Sequence, residues 1–131
     1  MAVRSRLQKA QAYVDEARDL LNLSQWEIKV QDYPSADDAY ADIEPHDYLW
    51  HAKLRLSEDF WKEKPEEQCK IIAHELLHLH YAGVERLVNH LEPILGGQSH
   101  EILAKVWEIE VEIAADALSG PVGGLLPTPS F

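Results

Sequence analysis

Residues 69–81 read Cys-Lys-Ile-Ile-Ala-His-Glu-Leu-Leu-His-Leu-His-Tyr, and the five residues His74-Glu75-Leu76-Leu77-His78 constrain the fold more than any other stretch. On a helix, residues four apart are offset by about 40° and rise about 6 Å, so the imidazoles of His74 and His78 point to one side and can converge on a single metal ion. Glu75 is turned about 100° from His74, which places its carboxylate beside such an ion and not on it. In that position it is available as a proton acceptor for water. The surrounding residues Ile71, Ile72, Ala73, Leu76, Leu77 and Leu79 are apolar, so this helix belongs in a core. Polar groups in a core need partners, because leaving them unpaired costs several kcal/mol.

Accident is a weak explanation. With 7 His among 131 residues, and 14 Glu, the pattern arises by chance roughly 0.04 times per chain of this composition. The competing reading is a buried structural helix whose histidines are satisfied by carboxylates.

Two histidines do not complete a catalytic metal site, which takes three protein ligands and keeps one position open. The third must come from farther along the chain. Glu108, Glu112 and Asp116 follow at steps of four and share one helical stripe. Glu112-Ile113-Ala114-Ala115-Asp116 has small neighbours that allow close helix approach. Glu112 is the leading candidate for the third ligand, and Asp116 for a carboxylate that orients a ligand imidazole. Glu108, His90 and His100 are the alternatives. His90 reaches the metal only if Gly83 ends the motif helix, since on an unbroken helix it lies about 18 Å beyond His78. His80 points away from His78.

The rest of the chain supplies a scaffold. A length of 131 residues is one domain with enough chain for a core. Leu7, Ala10, Val14, Ala17 and Leu21 recur at helical spacing and predict a helix over residues 5–22. Residues 25–57 carry strand signals. Trp26, Ile28 and Val30 alternate with polar residues, a weaker segment follows at 39–44, and residues 48–56 alternate cleanly. The last two are read as a hairpin, with Pro45-His46-Asp47 as the turn and a separate loop at Pro34-Ser35-Ala36-Asp37. Ser57 starts a short helical turn. Pro65, Glu66 and Glu67 suit the first turn of a motif helix over residues 65–90. Ser99 is read as the cap of a last helix over residues 99–119, apolar over a wide arc and therefore expected to be largely buried. Gly120-Pro121 is read as its stop, and residues 120–131 as an irregular, partly mobile tail. These elements make an α+β class, with a small antiparallel or mixed sheet packed on the motif helix and a C-terminal helix.

Charge and composition narrow the function. A net charge of −11 and the lack of a basic patch argue against nucleic acid as a partner. No run of about 18 apolar residues marks a membrane span. The opening residues lead into a charged amphipathic segment and not an apolar leader core, which points to the cytoplasm. The one cysteine, Cys69, has no internal disulfide partner and reads as a small core residue. Oligomeric state is not legible.

The segment Trp50-His51-Ala52-Lys53-Leu54-Arg55-Leu56-Ser57, then Phe60-Trp61, Pro65-Glu66-Glu67 and the H-E-x-x-H motif, followed by Glu112 and Asp116, resembles the small single-domain zincin-like metallopeptidases of bacteria and phages. The resemblance spans about residues 25–119. It implies a minimal zincin-like fold holding Zn²⁺ in the gluzincin manner, with His74, His78 and Glu112 as ligands, Glu75 as general base and acid, and a peptide or protein as substrate. It also implies that the strand before the motif, residues 49–56, is an edge that binds peptide by strand addition, with His51 and Lys53 contacting it. SprT-like peptidases, which use a distant His ligand, and ImmA/IrrE-type regulatory peptidases are near neighbours. A zinc-containing binding module with little turnover is the alternative within this resemblance, and a three-histidine metal-dependent ribonuclease is a more remote one. The metzincin continuation is missing, since Tyr81 and Val84 stand where its Gly and third His belong. Larger gluzincins supply an oxyanion-stabilising side chain. Here His46, His51, Tyr81 and His100 are its candidates.

Overall fold

A computed structural model describes residues 5–36 and 38–131. The non-leader reading of residues 1–4 and the placement of Asp37 in a loop lie outside them. The elements run α1 (Arg6–Leu20), β1 (Glu27–Val30), β2 (Ala41–Pro45), β3 (His51–Leu56), α2 (Glu58–Lys62), α3 (Pro65–His90), α4 (Glu92–Leu95) and α5 (Gly97–Gly123). The class is α+β, and the small sheet is mixed. No helix among the described residues is long and apolar enough to cross a membrane.

Helix starts follow the chemistry expected of them. Ser5 opens α1 with a capping box shared with Gln8. Ser57 accepts from the Phe60 backbone N–H to open α2. Pro65 sits in the first turn of α3, where its missing N–H is no loss. α3 runs unbroken through Gly83 to His90. One face of the sheet is apolar: Ile28, Ala52, Leu54 and Leu56 are buried with Trp26, Val14, Phe60, Ile72 and Leu76. Cys69 is buried among them, as expected for a free thiol used as packing.

Strand order departs from expectation in a way that matters for the site. The order is β1-β3-β2, with β1 parallel and β2 antiparallel to β3. The strand preceding the motif helix is therefore the centre of the sheet and cannot accept a further strand. β2 is the edge. His46 N–H donates to the His51 carbonyl, and Ser57 N–H to the Tyr40 carbonyl. Antiparallel pairing alternates, so the even residues from Tyr40 to His46 aim their backbone at β3, and Ala41, Ile43 and Pro45 aim theirs outward. The opposite edge is closed. The Gln11 side chain donates to the Ile28 carbonyl (2.7 Å) and accepts from Val30 N–H (2.8 Å).

β3 is also shorter than its alternation suggests. It starts at His51, because its β2 partner ends at Pro45, opposite Ala52. Residues 47–49 have no strand to pair with and form the connection instead, while the Trp50 carbonyl accepts from Glu27 N–H (2.7 Å). Tyr48, Leu49 and Trp50 are exposed there, while Trp50 stands edge-on to Trp26.

The C-terminal third holds further corrections. Residues 92–95 form a short helix with Pro93 in its first turn. Gly96, at φ +82°, then reverses the chain, so α5 begins at Gly97 and Ser99 is not its cap. α5 continues through Pro121, whose ring removes one helical hydrogen bond. The final turn is held by packing. A Cβ on Gly123 would come within 3.1 Å of the Lys70 backbone, so α5 closes onto the start of α3 there. The tail is irregular beyond residue 125 but docked, not loose. Leu126 is buried, the Tyr13 hydroxyl donates to the Pro127 carbonyl (2.8 Å), and burial pushes that phenol's pKa up. Phe131 packs against Tyr13, Phe60 and Trp61. Finally, α5 buries only Val111, Ala115 and Gly123 and leaves most of its apolar arc exposed, contrary to the expectation of a largely buried helix.

The docked tail makes a prediction. Phe131→Ala removes a partly buried ring from an aromatic cluster, and its cost is about 2 kcal/mol, below the 3–5 kcal/mol of a fully buried Phe. A urea-unfolding midpoint equal to the parent's would show that the tail adds nothing to the core.

Candidate metal centre

α3 and α5 pack along their lengths and carry the site between them. His74 and His78 lie on the α3 face turned to α5, with their Nε2 atoms 3.3 Å apart. Glu112 comes from α5, with one oxygen 2.9 Å from His78 Nε2 and the other 3.3 Å from His74 Nε2. One donor atom from each of these residues lies within 4.8 Å of the others. The triad is the one anticipated from the spacing. Asp116, one turn on from Glu112, lies 3.0 Å from His74 Nδ1. That contact fits a proton on Nδ1 and turns Nε2 toward Glu112 and His78.

The residues fit a metal ion on their own chemistry. Burial holds the His78 imidazole below its ordinary pKa against the pull of Glu112, which favours the neutral ring. Two imidazole Nε2 atoms and a carboxylate converge on one point, a set of ligand atoms that a cation can bridge. His₂Glu sets of this kind suit zinc.

Glu75 is 9% exposed and lines the same cavity. Burial, then the nearby Glu112 charge, pushes its pKa up to about 8. Among the described residues its carboxyl has no hydrogen-bond partner, and it lines the cavity.

The cavity holds about 870 Å³ and runs between β2, α3 and the end of α5. Its floor carries His74, Glu75 and His78, and β2 with its flanks (residues 38–47) forms one wall. Acid dominates the lining: Asp38, Asp47, Glu67, Glu85 and Asp116 stand there, opposed by Lys70 and Arg86, while Asp42 is held by both arms of Arg55.

Other expected site residues fall elsewhere. His51 and Lys53 lie on the outer face of the central strand. They line a separate pocket of about 380 Å³, and His51 is 3.2 Å from Glu27. They do not reach the metal cavity, because alternation turns them away from α3. His90 ends the unbroken α3, which removes it as a ligand. His100 faces the Val88 carbonyl (3.0 Å), and His80 faces the Leu21 carbonyl (3.0 Å). Glu108 lies in a neighbouring cavity opposite Glu85, whose pKa is raised by burial and by Glu108. Tyr81 stands edge-on to Trp107, outside the metal cavity.

Of the four oxyanion candidates only His46 lines the cavity. Its Nδ1 accepts from the backbone N–H groups of Tyr48 (3.1 Å) and Leu49 (3.2 Å), so the ring carries its proton on Nε2 and is a donor. Arg86 and Asn89 also line the cavity and were not singled out from the sequence. They sit two and three turns beyond His78 on the same helix, and that periodicity was the available signal. No protein-family model, curated protein or solved structure matches this chain.

Proposed function

We propose that this chain is a zincin-like, zinc-dependent peptidase that hydrolyses peptide bonds. The observation that carries the reading is the convergence of His74, His78 and Glu112 beside the buried, unpartnered Glu75 in an open cleft. Zinc held by those three residues supplies a Lewis acid and brings the pKa of water toward neutrality.

The chain's own groups divide the remaining work. Asp116 fixes the orientation and tautomer of His74. Glu75 takes a proton from the attacking water as its oxygen bonds to the carbonyl carbon. It then delivers that proton to the amine nitrogen as the C–N bond breaks. His46 Nε2–H is the donor available to the carbonyl oxygen as charge develops there. Substrate lies along β2, whose outward groups are the N–H and carbonyl of Ala41 and Ile43 and the carbonyl of Pro45. The acid-rich walls favour peptides bearing Lys or Arg.

The test is hydrolysis of matched peptides that differ only in charge. Zinc-loaded protein is expected to cleave a Lys/Arg-bearing peptide with a kcat/KM about tenfold above its Asp/Glu-bearing counterpart, a gap that closes as salt rises. Chelation is expected to abolish cleavage, and added zinc to restore it. Absence of cleavage in any peptide would sink the enzymatic reading. Equal rates for the two charges would sink the substrate preference alone.

A further inference from the structure

α3 carries into the cleft a cation that the hydrolytic steps do not use. Ala82, Arg86 and Asn89 line the metal cavity and lie within about 40° of Glu75 around the helix, so they continue its stripe toward the far end. The lining is rich in acid, and its two cations differ. Lys70 Nζ lies 3.5 Å from Glu67. Arg86 makes no ion pair among the described residues, although Asp47 and Glu85 line the same cavity. Its Nη1 donates to the Asp47 main-chain carbonyl at 3.4 Å, and its Cζ stands 5.9 Å from the centre of the Trp50 ring. A guanidinium has five N–H donors in a fixed fork, so most of those on Arg86 have no acceptor among the described residues. The Asn89 side chain, next along the stripe, makes no hydrogen bond among them either.

We propose that Arg86, with Asn89 beside it, binds a carboxylate of the peptide substrate, either the C-terminal main-chain group or an Asp or Glu side chain. The guanidinium fork matches a carboxylate through two parallel N–H···O bonds. Its place on the helix decides where that carboxylate falls on the substrate. Helical side chains lean toward the N-terminus, and Arg86 Nη2 lies 3.9 Å from where a Cβ on Gly83 would stand. The charge is thus drawn back by about one turn toward His78. From residue 78 to residue 83 the helix rises about 7.5 Å, which an extended peptide covers in about two residues. Ala82, between Glu75 and Arg86, is too small to block that path. The bound carboxylate therefore lies about two residues from the bond presented to the metal site. Acid opposes a carboxylate along the other walls, so Arg86 sets the register of the substrate as well as its affinity.

The nature of this ligand rests on the peptidase reading, but its test needs no turnover. The probe is a fluorescein-labelled peptide bearing Lys, made with a free C-terminus, with a C-terminal amide, and as an amide whose last residue is Glu. Anisotropy titrations of the Glu75→Gln protein with zinc present are expected to show a carboxylate form binding about tenfold or more tightly than the plain amide. Tighter binding of the free acid identifies the main-chain carboxylate as the ligand, and tighter binding of the Glu amide identifies the side chain. Adding Arg86→Gln is expected to bring all three forms to the level of the plain amide. Arg86→Lys, a point charge without the fork, is expected to keep part of the preference. If Arg86 served only to hold the chain at Asp47, its loss would weaken all three forms equally and leave their ratio intact. Equal binding of the three forms before Arg86 is changed, no binding of any, or a preference that survives Arg86→Gln overturns the proposal. A parent that cleaves nothing sinks the peptidase reading and leaves this ratio as it is.

Discussion

Glu112→Ala is expected to strip the protein of its metal. The substitution removes one of three converging donors and leaves His74 and His78, a pair that does not hold a catalytic ion by itself. Loss of an outer hydrogen-bond partner to a metal ligand weakens affinity about 10–100-fold, and loss of the ligand itself is expected to exceed that range. Elemental analysis after dialysis is expected to find one zinc per chain in the parent and none in the variant. His90→Ala is the matched control and is expected to keep its zinc, since His90 lies at the far end of an unbroken helix. Full zinc retention by Glu112→Ala would mean that the triad is an ion-pair cluster, and that the metal sits elsewhere or nowhere.

Glu75→Gln separates chemistry from binding. The amide matches the carboxylate in size, so the buried position is filled, but it cannot accept a proton from water. Turnover of the best peptide is expected to fall by about 10²–10⁴-fold, the usual worth of a positioned general base. Zinc content is expected to be unchanged, and peptide affinity is expected to stay within a factor of a few. A parent that binds cationic peptides without cleaving them, and a variant that behaves identically, would establish a binding module in place of a peptidase. Undiminished turnover in the variant would remove Glu75 from the mechanism.

Much of this site was legible before the fold. The two histidines, Glu112 and Asp116 stand out because helical geometry converts a spacing of four into a shared face, whatever surrounds the helix. Helix starts at Ser5, Ser57 and Pro65 were legible because caps act within a few residues. Strand order was not. Alternation in residues 51–56 reports that one face is buried, and it is silent on whether neighbours pair on one side or both. Peptide contact was assigned to His51 and Lys53 for that reason, and the open edge turned out to be β2. The exposure of α5 misled in a related way. Periodicity shows which side of a helix is apolar, and whether anything covers that side is a property of the assembly. Gly and Pro in residues 120–131 correctly signal irregular backbone, yet Leu126 and Phe131 anchor it through packing that leaves no periodic trace.

The docking of Phe131 against Tyr13, Phe60 and Trp61, with Gly123 seated on Lys70, has a consequence in time. Domains assemble during synthesis from the N-terminal end, and His74 and His78 emerge well before Glu112. The contacts that seat the end of α5 involve Gly123 and Phe131, which are made after Glu112 itself. A nascent chain thus carries the two histidines before their α5 partners can be held in place. Assembly of the His74, His78 and Glu112 cluster is coupled in this way to synthesis of the segment that follows it.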